Sequence, residues 1–306
     1  MKSLHYERTG RSVMLKKNLL IVGFFCLPWL LFCQQESLLF HFDFTGAEGR
    51  NEWTDRTGRV RCFSKNRDFV IQQKSLRIAP CAEIYIPSEQ LPELSEELTI
   101  STWVLKKSTP EYAPLLMKGS HAGGLQFLFT PSWRYPVFSY KVPGVAEWRG
   151  IYVHGLGGGS SRYGDESCMV PGASYVESSG YWKHLVAVFR QGLVLLYIDG
   201  KLVARQQGPD TRLTPNNEPF WIGAEKIRPD EENYMSANIL INDLRLYSKA
   251  LSAESIQELY AMERPRYPEG SLIPPGETHI NALPVCYDYI KAAKKGTIRN
   301  LKRHCR

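Results

Sequence analysis

The stretch that decides the fold is Gly180-Tyr-Trp-Lys-His-Leu-Val-Ala-Val-Phe-Arg-Gln-Gly-Leu-Val-Leu-Leu-Tyr-Ile-Asp-Gly-Lys201. Gln191-Gly192 separates its two apolar runs, at residues 185–189 and 193–198, and Asp199-Gly200 leads into a third run. An Asp-Gly pair permits the positive φ angles of a tight hairpin turn, so the pattern predicts an antiparallel meander. Because the runs barely alternate, we expect strands covered on both faces, as inside a two-sheet sandwich.

The flanking sequence has the same character, with short apolar runs separated by turn residues. Residues 98–105 form a strong strand whose even-numbered side chains share one face, and residues 46–58 read as a polar loop. A single helix is predicted over residues 253–262, because Ser252 can cap its N-terminus. Many short strands with one short helix predict an all-β sandwich or barrel.

The composition suits a folded domain with basic ends. The chain has 306 residues, 43% of them hydrophobic and 12% aromatic, which is ample for a core. The net charge is +7, of which residues 1–33 carry +4 and residues 264–306 carry +6. Residues 34–263 therefore carry −3. The sequence pI of 9.0 therefore says little about the partners of the main domain.

The N-terminus predicts export. Lys16 and Lys17 precede an apolar run at residues 19–33, which fits a secretory signal peptide over residues 1–33, with Met14 as an alternative start. Two alternatives keep the protein at a membrane: an uncleaved anchor through residues 19–33, or a lipid on Cys33. The run is shorter than a usual span, since a span needs ~20 apolar residues.

Three segments follow from this division: a signal peptide over residues 1–33, a β-sandwich over 34–263, and a Pro-rich linker with a basic tail over 264–306. Export makes disulfide bonds possible. The pairs to test first are Cys62 with Cys81 and Cys286 with Cys305, which leaves Cys168 over. No Cys-x-x-Cys occurs, so neither a zinc site nor a thioredoxin-like redox site is indicated.

Seven motifs follow one another in a fixed order along the chain. They are Phe40-His-Phe-Asp-Phe44 with Asp55-Arg-Thr-Gly58; Leu98-Thr-Ile-Ser-Thr-Trp-Val104; Leu115-Leu-Met-Lys-Gly119; Tyr181-Trp-Lys-His-Leu-Val-Ala-Val188; Leu196-Tyr-Ile-Asp-Gly-Lys201; Trp221-Ile-Gly223; and Ile241-Asn-Asp-Leu-Arg-Leu-Tyr-Ser-Lys-Ala-Leu-Ser252. Together they resemble a laminin-G-like module of the concanavalin A-like jelly-roll superfamily over about residues 38–262. The resemblance implies a two-sheet antiparallel jelly-roll β-sandwich with one short C-terminal helix. Members of this family bind glycans, bind proteins or serve as structural appendages, so the fold leaves the function open.

The resemblance also implies a metal site. In similar modules one acidic residue on the first strand and one on the last strand share a calcium ion, which here selects Asp43 and Asp243. Calcium takes six to eight oxygen ligands, so backbone carbonyls would complete the site. Asn242 stands where a second acidic residue is usual. The alternative is that Asp43 caps a turn and that Asp243 pairs with a cation such as Arg245.

Aromatic residues cluster between positions 112 and 163, and the runs Trp133-Arg134-Tyr135 and Trp148-Arg149 each place an arginine beside an aromatic ring. Exposed Trp or Tyr rings can stack on the apolar faces of sugars, and arginine suits acidic glycans. The alternative is that most of these rings pack in the core. The predicted ligand-binding residues are Trp133, Arg134, Tyr135, Trp148, Arg149 and Tyr163.

Signatures of catalysis are weak in this chain. Glycanases of this fold carry a Glu-x-Asp-x-x-Glu run, which places two carboxylates on one strand face, and no such run occurs here. His184 lies in a strand motif, so we expect it to pack rather than to catalyse. We therefore expect an exported, non-catalytic carbohydrate-binding module, or else a structural or protein-interaction module, with a glycoside hydrolase-like enzyme as the third alternative. The partner would be a glycan, a cell-surface polysaccharide or an extracellular protein, without nucleic acid, and with a membrane only through an uncleaved signal or lipid anchor.

Overall fold

A computed structural model describes residues 36–44, 51–64, 69–72, 75–78, 84–94, 96–108, 113–120, 123–129, 136–141, 148–153, 159–161, 170, 180–209, 212–226, 234–236 and 238–269. The chain separates into two compact units, Met1–Ser37 and Leu38–Arg306. All strands and the capped helix described below belong to the second unit.

The second unit is a sandwich of two antiparallel sheets. The strands of the first sheet are β1 (Leu38–Phe42), β4 (Phe69–Gln72), β5 (Ser75–Ile78), β7 (Glu97–Ser108), β13 (Trp182–Arg190), β14 (Leu193–Ile198), β15 (Lys201–Gln207) and β19 (Asn238–Tyr247). Those of the second sheet are β2 (Glu52–Thr54), β3 (Arg61–Ser64), β6 (Ile84–Ile86), β8 (Ala113–Ser120), β9 (Gly123–Phe129), β10 (Pro136–Lys141), β11 (Trp148–Val153), β12 (Gly159–Ser161) and β16 (Phe220–Ile222). A separate ribbon pairs β17 (Ala224–Lys226) with β18 (Tyr234–Ser236).

The order of the strands is that of a jelly roll. The first sheet runs β15-β14-β13-β7-β19-β5-β4, with β1 also paired to β19. The second runs β12-β11-β10-β9-β8-β16-β6-β3-β2. The predicted all-β, two-sheet antiparallel jelly-roll sandwich is therefore confirmed.

The meander predicted from residues 180–201 forms β13, β14 and β15. Gln191 and Asp199 adopt positive φ angles of 47° and 50°, as the two hairpin turns require. Along β13, Leu185 and Phe189 face the space between the sheets, whereas Val186 faces away from the second sheet. Both faces of this strand are covered, which explains why its sequence barely alternates.

The helix α1 (Ala253–Glu263) covers the outer face of the first sheet. The Ser252 hydroxyl accepts a hydrogen bond from the Ser255 amide at 3.2 Å, so the predicted cap is confirmed. Ile256 is fully buried in a cluster with Val186, which fixes α1 on the outer face. A 3-10 turn (Arg264–Arg266) continues from α1.

The region predicted as a linker begins with residues that pack on the sandwich. Tyr267 is only 5% exposed, and its ring stacks on that of Trp103 with centroids 4.0 Å apart. The residues from 264 to 267 thus complete the outer layer of the first sheet. Those from 270 onward lie outside the described residues.

The polar segment over residues 46–58 contains a short strand, β2, that its sequence does not suggest. Asp55 organises the turn that follows β2, since its carboxylate accepts amide hydrogen bonds from His41, Thr57, Arg59 and Val60 at 2.9–3.0 Å. Burial raises the pKa of Asp55, but these hydrogen bonds outweigh it and hold that pKa below its ordinary value.

Cys62 lies on β3 with its side chain fully buried in the core, and it is a free thiol. Burial raises its pKa well above the ordinary value, so the thiol is an apolar core group rather than a reactive one. The predicted partner, Cys81, lies outside the described residues. No helix within the described ranges is long and apolar enough to cross a membrane, and residues 19–33 lie outside those ranges.

Candidate functional site

A cavity of about 440 Å³ opens at one end of the sandwich, and we call it the mouth cavity. Three segments line it: residues 88–94 between β6 and β7, the hairpin of β8 and β9 at Lys118 and Gly124–Leu125, and residues 213–217 before β16. Its volume falls within the ~300–1,000 Å³ of ordinary small-molecule sites.

The mouth cavity has an apolar floor and a polar rim. Leu94, Leu125 and Leu213 form the floor and are continuous with the hydrophobic core. Glu89 and Glu93 lie on the rim and are exposed, and hydroxyl and amide groups complete the rim from the side of residues 213–217. Apolar surface beside hydrogen-bonding groups matches the amphipathic character of a sugar.

Lys118 brings a cation into this cavity. Its cross-strand partners are Leu125 and Phe220, and residues directly opposite in antiparallel strands point to the same face, so Lys118 points inward. The side chain is largely buried, and Nζ donates a hydrogen bond to the backbone carbonyl of Glu218 at 2.7 Å. Nζ also lies 4.9 Å from the centroid of the Phe220 ring. Burial lowers the pKa of Lys118 from its ordinary value.

Gly124 lets the two strands approach closely beside Lys118. It has a φ of +139°, and a Cβ there would lie 1.8 Å from the Lys118 carbonyl oxygen. Only glycine fits such a contact, so this residue defines the wall of the mouth cavity.

Of the six predicted ligand-binding residues, Trp148 and Arg149 lie within the part of the chain that the structure describes. The register pairs Gly124 with Lys141 and Lys141 with Trp148, so the backbone of Trp148 lies two strands, or about 10 Å, from the cavity wall. Arg149 is half-buried and follows on the same strand, β11. These two residues therefore lie at the cavity end of the second sheet.

The other predicted residues, Trp133, Arg134, Tyr135 and Tyr163, lie outside the described residues. The strand ends that flank the first three are Phe129 and Pro136, which pair with each other. Those ends are about 17 Å along the strand from Gly124, at the opposite end of β9. Tyr140, from the same stretch of aromatics, is fully buried in the core.

A second group of polar residues lies under α1 on the outer face of the first sheet, and we call it the buried polar cluster. A bulge in β19 places Asp243 there with a positive φ of 46°. Its fully buried carboxylate binds His41 Nε2 at 2.6 Å, Arg245 Nη2 at 3.2 Å and Arg266 Nη2 at 2.9 Å. It also accepts a hydrogen bond from the Tyr267 hydroxyl.

Glu263 is the second buried carboxylate of this cluster. It forms an ion pair with Arg245, a second with Arg266 at 3.2 Å, and accepts a hydrogen bond from Trp103 Nε1 at 2.7 Å. Burial nevertheless raises the pKa of Glu263 to about 7. Two carboxylates thus meet two guanidinium groups in the buried polar cluster.

Two histidines complete the cluster in their neutral forms. Burial lowers the pKa of His41, and it lowers that of His184 to about 3. His184 Nε2 is hydrogen-bonded to the Ser101 hydroxyl at 2.8 Å, and its ring lies against that of Trp103 in a tilted arrangement with centroids 5.2 Å apart. This position agrees with the packing role that the sequence indicates for His184.

Side chains of the protein itself bind the two predicted calcium ligands, Asp43 and Asp243. Asp43 forms an ion pair with Arg56, and the carboxylate of Asp243 is surrounded by the four donors given above. Within the described residues, no three His, Cys, Asp or Glu side chains are grouped so that they could hold a metal ion. As placed, these carboxylates do not fit calcium, which needs six to eight oxygens, and the calcium site stays a prediction.

The comparisons with known proteins place the chain in a family. The sequence profile of Laminin G 3, described as the concanavalin A-like lectin/glucanases superfamily, matches residues 82–257. The chain therefore belongs to this superfamily. No curated protein sequence matches it significantly.

Several solved structures share the fold. The chain matches botulinum neurotoxin type C, from a study of its entry through two ganglioside molecules, with a TM-score of 0.54 and 13% identity over 76% of this chain and 52% of that one. It matches a Trypanosoma rangeli sialidase mutant with a TM-score of 0.51 and 13% identity, over 76% and 34% of the two chains. Domain 4 of AbnA, an extracellular arabinanase of Geobacillus stearothermophilus in complex with arabinotriose, gives 0.50 and 17% over 73% and 98%. The chain spans about half or less of the first two proteins, and at identities this low the structural likeness shows the fold alone.

Proposed function

We propose that this chain is an exported, non-catalytic carbohydrate-binding module that holds a glycan in the mouth cavity. The observation that carries the proposal is the cavity itself, which combines an apolar leucine floor with a polar rim at an open end of the sandwich. Trp148 and Arg149, at the same end of the second sheet, extend the proposed site.

The similar structures support this proposal by analogy of fold. The type C neurotoxin interacts with two ganglioside molecules, domain 4 of AbnA is in complex with arabinotriose, and a Trypanosoma rangeli sialidase in complex with sialic acid also matches, with a TM-score of 0.51 and 13% identity. Another similar structure is the binding domain of botulinum neurotoxin DC with rat synaptotagmin II, matched with a TM-score of 0.53 and 11% identity, so a protein partner is the alternative. Among the described residues, the large hydrophobic side chains that are exposed are Tyr181 and Met262, which form no extended apolar patch. The cavity therefore favours a glycan over a protein surface.

A glycan and polysaccharide array with the purified full chain tests the proposal. The array is run with calcium and again with a chelator, which tests the calcium site predicted at Asp43 and Asp243. Glycan binding is the expected result. Absence of binding to every sugar would move the function to a protein-interaction or structural module.

Three variants test whether the glycan binds at the cavity. Thr214 is a half-buried lining residue, so Thr214→Trp should fill the mouth cavity and abolish binding. Gln257→Trp, on the exposed face of α1, is the matched control and should bind like the wild type. Trp148→Ala should remove any change in tryptophan fluorescence that the glycan produces from the proposed extension. Equal binding by all three variants would locate the glycan site elsewhere on the protein.

Export is proposed from residues 1–33. Fractionation and N-terminal sequencing of the mature protein test it: a new N-terminus near residue 34 indicates a cleaved signal. An intact N-terminus in the membrane fraction indicates an anchor through residues 19–33.

A further inference from the structure

Lys118 is a buried cation that forms no direct ion pair with the described residues, although the carboxylate of the exposed residue Glu218 acts on it electrostatically from a greater distance. Its ammonium has three N–H donors, of which one binds the Glu218 carbonyl. No carboxylate in the described part of the chain forms an ion pair with it, although the side chain is only 9% exposed. Removing a charge from water is costly unless a partner of opposite charge compensates it.

The position of the Lys118 ammonium indicates that an anionic partner would reach it through the cavity. Lys118 lines the mouth cavity, and its charge is held there from one side by Phe220 and the Glu218 carbonyl. An acceptor that enters the cavity can use the remaining N–H donors. A carboxylate would also supply the counter-charge, and charge-assisted hydrogen bonds of this kind are about twice as strong as neutral ones.

We propose that the mouth cavity selects a sugar that carries a carboxylate, and that this carboxylate binds the ammonium of Lys118. This inference rests on the proposed carbohydrate-binding function and names its ligand class. A ligand with a single negative charge suits the rim better than a densely charged polyanion, because the exposed residues Glu89 and Glu93 would repel the polyanion.

Matched ligands test the charge separately from the sugar. A galactose oligosaccharide that ends in one galacturonate, its methyl ester and the corresponding all-galactose oligosaccharide share the ring stereochemistry and differ in the group at C6 of one residue. Isothermal titration of the full chain should give at least tenfold tighter binding of the ligand with the free carboxylate than of either neutral ligand. A sialylated oligosaccharide and its desialylated form provide the second source of a carboxylate, and a sulfated galactose oligosaccharide should bind more weakly than the carboxylate.

Matched variants test the residue. Lys118→Met keeps the apolar stem and removes the charge, so the preference for the carboxylate over the ester should disappear, whereas Lys118→Arg should keep most of it. Because Glu218 is exposed, water can satisfy its carbonyl in Lys118→Met, and the melting temperature should not fall. A marked fall would show that Lys118 also stabilises the fold, and the pH dependence of the wild type would then decide the proposal.

Each remaining outcome separates the two proposals. Binding of the neutral sugars that equals binding of the carboxylated ones overturns the charge selection and leaves the carbohydrate function standing. A carboxylate preference that persists in Lys118→Met also overturns it. Absence of binding to every sugar removes the carbohydrate function and the inference with it. If Lys118→Met does not fold, the wild type still decides, because the preference should fade at alkaline pH below the usual lysine range, whereas ester binding should not change.

Discussion

Replacing Asp243 by asparagine should destabilise the sandwich strongly. The fully buried carboxylate balances Arg245 and Arg266 and accepts hydrogen bonds from His41 and Tyr267. An amide keeps one acceptor oxygen but carries no charge, and its NH₂ group would face donors. Breaking a buried pair by removing one partner costs about 3–5 kcal/mol, and we expect the lower end, about 3 kcal/mol. For a domain of this size that corresponds to a fall in Tm of about 6–12 °C.

The matched control is the same change at the other predicted calcium ligand. Asp43 pairs with Arg56, whose side chain is 61% exposed, so Asp43→Asn should cost no more than about 1 kcal/mol. Urea unfolding at neutral pH, followed by tryptophan fluorescence, measures both changes. Trp103 reports on the cluster directly, because it stacks on Tyr267.

Calcium distinguishes this account from the metal site. If ion pairs within the protein hold Asp243, the loss in Asp243→Asn is the same with calcium and with a chelator. If the two carboxylates share a calcium ion, both substitutions cost similar amounts and the chelator reproduces that cost in the wild type. A loss below about 1 kcal/mol for Asp243→Asn would refute the argument that this carboxylate compensates buried cations.

Three further changes test local features. Ser252→Ala should cost about 1 kcal/mol in urea unfolding, because it removes the acceptor for the Ser255 amide, and an unchanged midpoint would contradict the cap. Gly124→Ala should lower the Tm and weaken glycan binding together, because its Cβ would meet the Lys118 carbonyl; retention of both would contradict the tight wall of the mouth cavity. His184 contributes a slope of falling stability as the pH drops from 6.5 towards 3, because the unfolded chain protonates this histidine while the folded chain, in which its pKa is about 3, does not. His184→Gln should make this slope shallower by up to about 1.4 kcal/mol per pH unit, and an unchanged slope would refute the neutral, buried imidazole.

The sequence predicts the fold because each of its signals is local. The structure contains three of the predicted local features: the Asp-Gly turn at Asp199, the cap at Ser252 and the apolar run of β13 that is buried on both faces. The position of Trp103, Trp182 and Trp221 in the buried layers also follows from their strand motifs.

The sites could not be predicted in the same way, because they depend on contacts between distant segments. Glu263 and Tyr267 belong to the end of a helix and the start of a Pro-rich stretch, and nothing local indicates that they meet Asp243. Lys118 stands within a strand motif, where lysine is usually a solvated residue. Its inward position follows from pairing with Leu125 and Phe220, which only the sheet register reveals.

The two buried polar sites of this molecule differ in charge balance, and the difference bears on function. On the outer face of the first sheet, two carboxylates meet two guanidinium groups, and the neighbouring imidazoles are neutral because burial lowers their pKa. At the mouth cavity, the ammonium of Lys118 has a carbonyl and an aromatic ring beside it. Under the helix, the protein places carboxylates against its buried cations. At the cavity, acidic residues are also present, but Glu89 and Glu93 stay on the exposed rim. If the ligand supplies the counter-charge, as proposed above, an unbalanced cation is expected at the open end of the sandwich, where a ligand can reach it.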